Sequence, residues 1–120
     1  VMINTWGGND DVTLDNVEAS VINVQLGDGN DSLDVATLVA LSAVLNAGAG
    51  NDVVTIDDAT VGSFSASLGA GDDVITITNS DANVATLDGG LGFDTLNFDA
   101  ATVAAVDHIF RFNFELEQIL

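Results

Sequence analysis

The sequence predicts an all-β parallel solenoid of about five coils. Three observations predict it: a phrase that recurs every 21 residues, apolar residues alternating two by two at fixed places in each recurrence, and glycines gathered at one of those places. The phrase reads Gly8-Asn9-Asp10, Gly29-Asn30-Asp31, Gly50-Asn51-Asp52, Gly71-Asp72-Asp73 and Gly92-Phe93-Asp94. A constant period in this range belongs to repeat arrays in which each unit stacks on the last.

Taken in chain order, Val1 and Ile3 align with Ile22 and Val24, so the chain enters half-way round a coil. This predicts a part of a longer chain with further N-terminal coils or domains. After each Gly-rich corner comes a triplet: Val12-Thr13-Leu14, Leu33-Asp34-Val35, Val54-Thr55-Ile56, Ile75-Thr76-Ile77 and Leu96-Asn97-Phe98. Its outer residues are apolar and its middle one polar, the pattern of a strand with one buried face. A second alternating segment leads into the next corner, through Ile22, Val24 and Leu26, then Ala43, Leu45 and Ala47. It continues as Phe64, Ala66 and Leu68, then Ala85, Leu87 and Gly89. Large and small residues interchange along these columns, as a stacked core of limited width requires. Between the two strands a variable corner carries the small apolar column Ala19, Ala40, Val61 and Ala82, where a short third strand fits. Val35 to Ala49, rich in Ala and Leu, favours a helix on propensity alone. The register overrides it, because aligned positions in other coils are β-branched. The coils run to about residue 105. Residues 106–120 lack the Gly-rich corner; their alternating Phe110, Phe112, Phe114 and Leu116, then Ile119 and Leu120, predict an aromatic cap. The whole chain, 1–120, reads as one domain.

Nineteen acids face a single base, Arg111, for a net charge of −18. Such a surface repels nucleic acids and anionic membranes and attracts cations. Acidic chains that stay disordered lack apolar residues; here 48% are apolar. There is no cysteine, which excludes disulfides and thiolate metal sites. The start, Val1-Met2-Ile3-Asn4, shows no basic leader region. The apolar run Val35 to Leu45 is too short to span a bilayer, so no membrane insertion is expected.

The period places Asp10, Asp31, Asp52, Asp73 and Asp94 in one column. Stacked strands lie about 4.8 Å apart. Two carboxylates at that distance repel by about 1 kcal/mol in water and by about 3 kcal/mol at an effective dielectric of 20. Protonation cancels this only in acid; a divalent cation between coils cancels it at neutral pH. The corner glycines let the backbone take positive φ and turn carbonyls inward. Carboxylates with carbonyls are the ligand set of a hard cation such as Ca²⁺. No His or Cys accompanies them, which argues against zinc or copper. By parity each corner Asp shares the inward side of residues such as Val12 and Leu33.

The segments Leu26 to Asp34, Ala47 to Thr55, Leu68 to Thr76 and Gly89 to Asn97 resemble the G-G-x-G-x-D-x-U-x nonapeptide of the RTX (repeats-in-toxin) proteins. The resemblance implies a calcium-binding turn followed by a strand of a parallel β-roll. Asp31, Asp52, Asp73 and Asp94 are then Ca²⁺ ligands. Asp10 belongs to a weaker copy in which Trp6 stands in place of a glycine. Backbone carbonyls of Gly8, Gly27, Gly29, Gly48, Gly50, Gly69, Gly71, Gly90 and Gly92 complete the set. The segment Phe112 to Leu120 is similar to the Phe-Glu-rich strand that often ends such arrays. The family carries two nonapeptides in a coil of about 18 residues; here one motif recurs every 21, and Leu26, Ala47 or Leu68 replaces the opening glycine. The coil is therefore closer to a right-handed β-helix, with calcium along one edge only. The resemblance implies a secreted, extracellular or cell-surface module, structural or adhesive, that folds or stiffens as Ca²⁺ binds between coils. The alternative is a metal-free β-helix spacer.

Other features carry blander readings. Asp after Gly-Asn also serves as an ordinary turn residue. Asn9, Asn30 and Asn51 suggest a structural amide ladder. Asp28 and Asp72 are available as added ligands but read as solvated corner acids, and Asp57, Asp58, Glu115 and Glu117 read as a solvated face. His108 aligns with an inward column and reads as a packing residue. No nucleophile and base pair is visible, so no enzyme activity is expected. The outward threonines Thr13, Thr55 and Thr76 suggest an ice-binding face, but Asp34 and Asn97 interrupt it; a carbohydrate groove would need outward aromatics.

Overall fold

The computed structural model describes residues 1–105 and 108–120. The strands are β1 (Met2–Asn4), β2 (Asp11–Asp28), β3 (Ser32–Ala49), β4 (Val53–Ala70), β5 (Val74–Thr78), β6 (Asp81–Leu91), β7 (Thr95–Phe98), β8 (His108–Phe112) and β9 (Leu116–Ile119). One short helix, α1 (Ala100–Ala105), precedes β8. Every pairing is parallel and joins one coil to the next, giving a β-solenoid of about five turns. From Met2↔Asn23 to Ile77↔Phe98 the partners are 21 residues apart. The Ala- and Leu-rich segment is strand β3, not helix. Two neighbouring coils offer it continuous pairing and an apolar floor, and these outweigh its local propensity. Among the described residues no helix is long and apolar enough to cross a membrane.

Within β2 the pairing runs over 11–15, 17–19 and 21–25, lapsing at Asn16, Ser20 and Leu26. A short middle run therefore does occupy the variable corner. The first lapse has a backbone cause. Asn16, Thr37, Asp58 and Asn79 all take positive φ, at 53°, 60°, 57° and 49°. One left-handed residue in each coil turns the chain there. Asn and Asp tolerate that conformation; the β-branched Thr37 adopts it at a cost in strain.

The core is a set of columns running up the stack. Val54, Ile75 and Leu96 lie in one, all fully buried; Leu14, Val35, Ile56, Ile77 and Phe98 form a second. Opposite them, Ile22, Ala43, Phe64 and Ala85 alternate large and small. Each buried large side chain contributes about 2 kcal/mol in transfer free energy. Stacked volumes must match layer by layer, so in the Ile22 column a large residue in one coil sits over a small one in the next, facing columns that are large throughout.

The C-terminal coil follows a different count. β8 pairs with β6 at a spacing of 24 (Val84↔His108), whereas β9 pairs with β7 at 21 (Thr95↔Leu116). The stretch containing α1 adds three residues, and the final corner, 113–115, drops three. An odd shift reverses which face each β8 residue presents. His108 consequently pairs with outward Val84 and is exposed, not packed inward. Phe110 and Phe112 are 50% and 54% exposed on the outer face. Ile109 and Phe114 are the residues that pack against the core. Arg111 lies over Leu87, Glu117 over Leu96, and the two pair at 3.3 Å across the end of the stack. The end is thus covered by two apolar side chains and an ion pair rather than by the full run of phenylalanines.

Replacing Thr37 by Asn removes a β-branched residue from a left-handed turn without altering the register. Thr37→Asn is expected to stabilise the fold by about 1 kcal/mol. A thermal melt in which its midpoint equals or falls below the parent's contradicts this account of the corner.

Candidate metal centre

The Gly-rich corner leaves the regular ladder, so its backbone N–H groups need other partners. Two side-chain ladders supply them, running in opposite directions. In the outer one, Asn30, Asn51, Asp72 and Phe93 N–H groups donate to the side-chain oxygens of Asn9, Asn30, Asn51 and Asp72 one coil earlier, at 2.8–2.9 Å. The predicted amide ladder is therefore present, and Asp72 extends it. In the inner one, the N–H groups of Asp10, Asp31, Asp52 and Asp73 donate to Oδ1 of Asp31, Asp52, Asp73 and Asp94 one coil later, at 2.8–3.0 Å. The last step is Asp94 N–H to Glu115 Oε2 at 2.7 Å.

All five predicted aspartates thus stand in one column, facing inward. Asp52, Asp73 and Asp94 are fully buried and Asp31 nearly so. Each of the five also carries a second oxygen, Oδ2, that is buried without a hydrogen-bond partner. A buried carboxylate with half its acceptors empty is costly, by several kcal/mol if the charge is uncompensated. Burial is the main influence on these groups. It raises the Asp52, Asp73 and Asp94 carboxyls above their ordinary value, against the opposing pull of the N–H bond each accepts. Neighbouring charges add to the rise: Asp31 acts on Asp52; Asp52, Asp94 and Asp72 act on Asp73; Glu115, Asp72 and Asp88 act on Asp94. Asp73 is pushed up to about 6.

All nine glycines named from the sequence have positive φ, from 100° to 141°. Two columns of them flank this corner. At Gly48 and Gly50 an added Cβ would overlap the carbonyl oxygens of Gly27 and Gly29 in the coil below. Those carbonyls therefore point along the stack at the next glycine, and any side chain there would force the coils apart. Trp6 occupies the first column with φ of 71° and is exposed.

The donor set bears on the choice of ion. Among the described residues no three His, Cys, Asp or Glu side chains converge on one point. A cation held here would take carboxylate oxygens from successive coils and complete its shell with backbone carbonyls and water. An all-oxygen set of this kind fits Ca²⁺, and five orphaned buried oxygens are what such an ion would satisfy.

Two features were not read from the sequence. Glu115 lies 21 residues after Asp94, so its membership of the column was available from the spacing, but the missing glycines around it hid the match. The ladder at the variable corner, Ala59 N–H to Ser80 Oγ and Ser80 N–H to Thr102 Oγ1, both 3.1 Å, involves a 22-residue step that no fixed period reveals.

The direction of the Asp73 shift fixes a pH response. A carboxyl raised from 3.8 to about 6 on folding lends stability below pH 4 that is lost as pH rises through 6. Metal-free protein is therefore expected to melt higher at pH 4.5 than at pH 7.5. Asp73 alone accounts for about 2 kcal/mol of the difference between pH 4.5 and pH 7.5. Asp73→Asn should flatten the slope; a parent protein whose melting point rises from pH 4.5 to 7.5 contradicts the assignment. No protein-family model, curated protein or solved structure matches this chain, so the reading of the column rests on its own geometry.

Proposed function

We propose that this solenoid is a calcium-dependent structural module, secreted or displayed at the cell surface, and that it serves a longer protein as an adhesive or spacer element. The observation that carries the reading is the file of five buried, unpartnered Oδ2 atoms along one edge. Such a file is unstable as five free anions at neutral pH. The RTX-like phrasing of the corner supports the same reading.

Asp31, Asp52, Asp73 and Asp94, with Asp10 at the first coil, would hold the ions, helped by carbonyls of the corner glycines. When bound, Ca²⁺ supplies positive charge that offsets the carboxylate repulsion. The chain's own parts do the rest. The backbone N–H bonds fix one oxygen of Asp31, Asp52, Asp73 and Asp94 and would leave the other to the ion. The glycine columns let the coils approach closely enough for neighbouring carboxylates to share it. Arg111 is the only base in the chain. It is engaged with Glu117 at the far end, so no side-chain cation neutralises the column.

Extracellular calcium sites have Kd values of about 10⁻⁴ to 10⁻³ M. A fold built on sites of that strength stays loose in a low-calcium cytosol and tightens outside the cell. A ligand at 100 times its Kd stabilises by about 2.7 kcal/mol at one site, and several sites add.

A metal-free spacer is the second reading. It is favoured by the inner ladder itself, since Oδ1 of Asp31, Asp52, Asp73 and Asp94 already has a backbone partner and protonated Oδ2 atoms would lower the charge. A sugar-binding face has less support. The broad groove beside the variable corner, lined by Glu18, Val39, Leu41, Thr60, Asp81 and Asn83 among others, holds no aromatic side chain.

Calcium added to chelator-treated protein at pH 7.5 should raise the melting temperature by about 10 °C or more at 10 mM, given the size dependence of such shifts. Magnesium at the same ionic strength should do much less. A flat response to calcium, by circular dichroism and by melting point, leaves the spacer reading in possession.

A further inference from the structure

We infer that Glu115 closes the column as a sixth carboxylate, and that with Asp94 and the Asn113 carbonyl it forms a terminal cation site built differently from the inner ones. The inference rests on the calcium reading of the column and adds to it a ligand, a place and an order of filling.

Three observations meet at this point. Glu115 Oε2 accepts the Asp94 N–H at 2.7 Å, the position that Asp Oδ1 holds in every earlier coil. Asp94 is fully buried and its Oδ2 has no partner. Gly89 supplies the third. In the preceding coils its column holds Leu26, Ala47 and Leu68, all fully buried and apolar. At Gly89 the side chain is absent. A Cβ placed there would lie 2.8 Å from Asp94 Oδ2 and would run into the Asn113 carbonyl oxygen. The absence of a side chain at Gly89 thus lets the Asn113 carbonyl oxygen and Asp94 Oδ2 close in on the same point, two acceptor oxygens side by side at the end of the column. Acceptor oxygens gathered without a donor between them are the ligands a hard cation such as Ca²⁺ takes.

Local chain chemistry explains how the site is reached. The last corner has three residues, 113–115, where the earlier ones have six. Asn113 turns the chain at φ of 56°, a conformation Asn adopts readily. From this shorter corner Glu115, one methylene longer than Asp, reaches the Asp94 N–H. Glu115 is exposed while Asp94 is not, so an ion can enter from the solvent side. Asp31, Asp52 and Asp73 are themselves buried and have no exposed acid in the column beside them. The terminal site should therefore fill first.

Calcium binding is measured by equilibrium dialysis with the parent and with Glu115→Gln, Glu115→Asp and Glu18→Gln. Glu18 is exposed, away from the column, and its variant removes the same charge. The expected result is one ion fewer for each Glu115→Gln chain, with loss of the tightest binding event. Glu115→Asp should keep the count and weaken that event about tenfold or more, and Glu18→Gln should match the parent. A Glu115→Gln chain that is folded and binds the parental number of ions at parental affinity overturns the terminal site while leaving the inner column untouched. Should that variant not fold, parental binding by Glu115→Asp overturns it equally. A parent that binds no calcium at 10 mM removes both the terminal site and the reading beneath it.

Discussion

Everything in this molecule depends on a corner in which two consecutive N–H groups bond in opposite directions. At Asn30-Asp31, Asn51-Asp52, Asp72-Asp73 and Phe93-Asp94 the first N–H reaches back to the coil before and the second reaches forward to the coil after. A coil is thereby clamped from both sides by side chains whose reach is fixed. A slip by one residue would break both ladders and turn the inner face of every strand outward. The glycines follow from the same clamp, because coils held this close leave no space for a Cβ between one carbonyl and the next Cα.

That clamp creates an electrostatic burden. The side chain that fixes the register is an acid, and its second oxygen is turned into the interior. An asparagine would serve the backbone as well and carry no charge, as Asn9, Asn30 and Asn51 do on the outer ladder. The inner ladder uses Asp throughout and ends on Glu. Structural need accounts for an acceptor at this place; it does not account for a carboxylate. The difference between the two ladders is the strongest physical reason to assign the inner one a role with cations.

The two ends of the stack are treated differently. Toward the C-terminus a three-residue insertion, helix α1 and a shortened corner change the register from 21 to 24 and back. Asp99 caps α1, its Oδ1 accepting the Thr102 N–H at 2.8 Å while Oδ2 accepts the Asn79 N–H. Its carboxyl is lowered by those bonds, Thr102 foremost, the reverse of the buried column. The same residue type thus has its acidity moved in opposite directions according to whether water and donors surround it.

The repeat, the strands, the inward parity of the aspartates and the glycine corners were all legible in the order of residues, because a strict period turns a three-dimensional stack into a column of letters. The left-handed turns at Asn16, Asp58 and Asn79 were legible in principle by the same spacing. What lay beyond reach were the places where the period breaks. His108, Phe110 and Phe112 could not be given a face until the insertion before them was seen to shift the register by an odd number. Glu115 could not be placed until the shortened corner restored the count. Nor does any single-coil pattern reveal that Oδ2 of each Asp is buried and unpartnered, since burial at that atom comes from the coils above and below. Local sequence determines what one turn of the chain prefers; only the stacking decides which atoms lose their water.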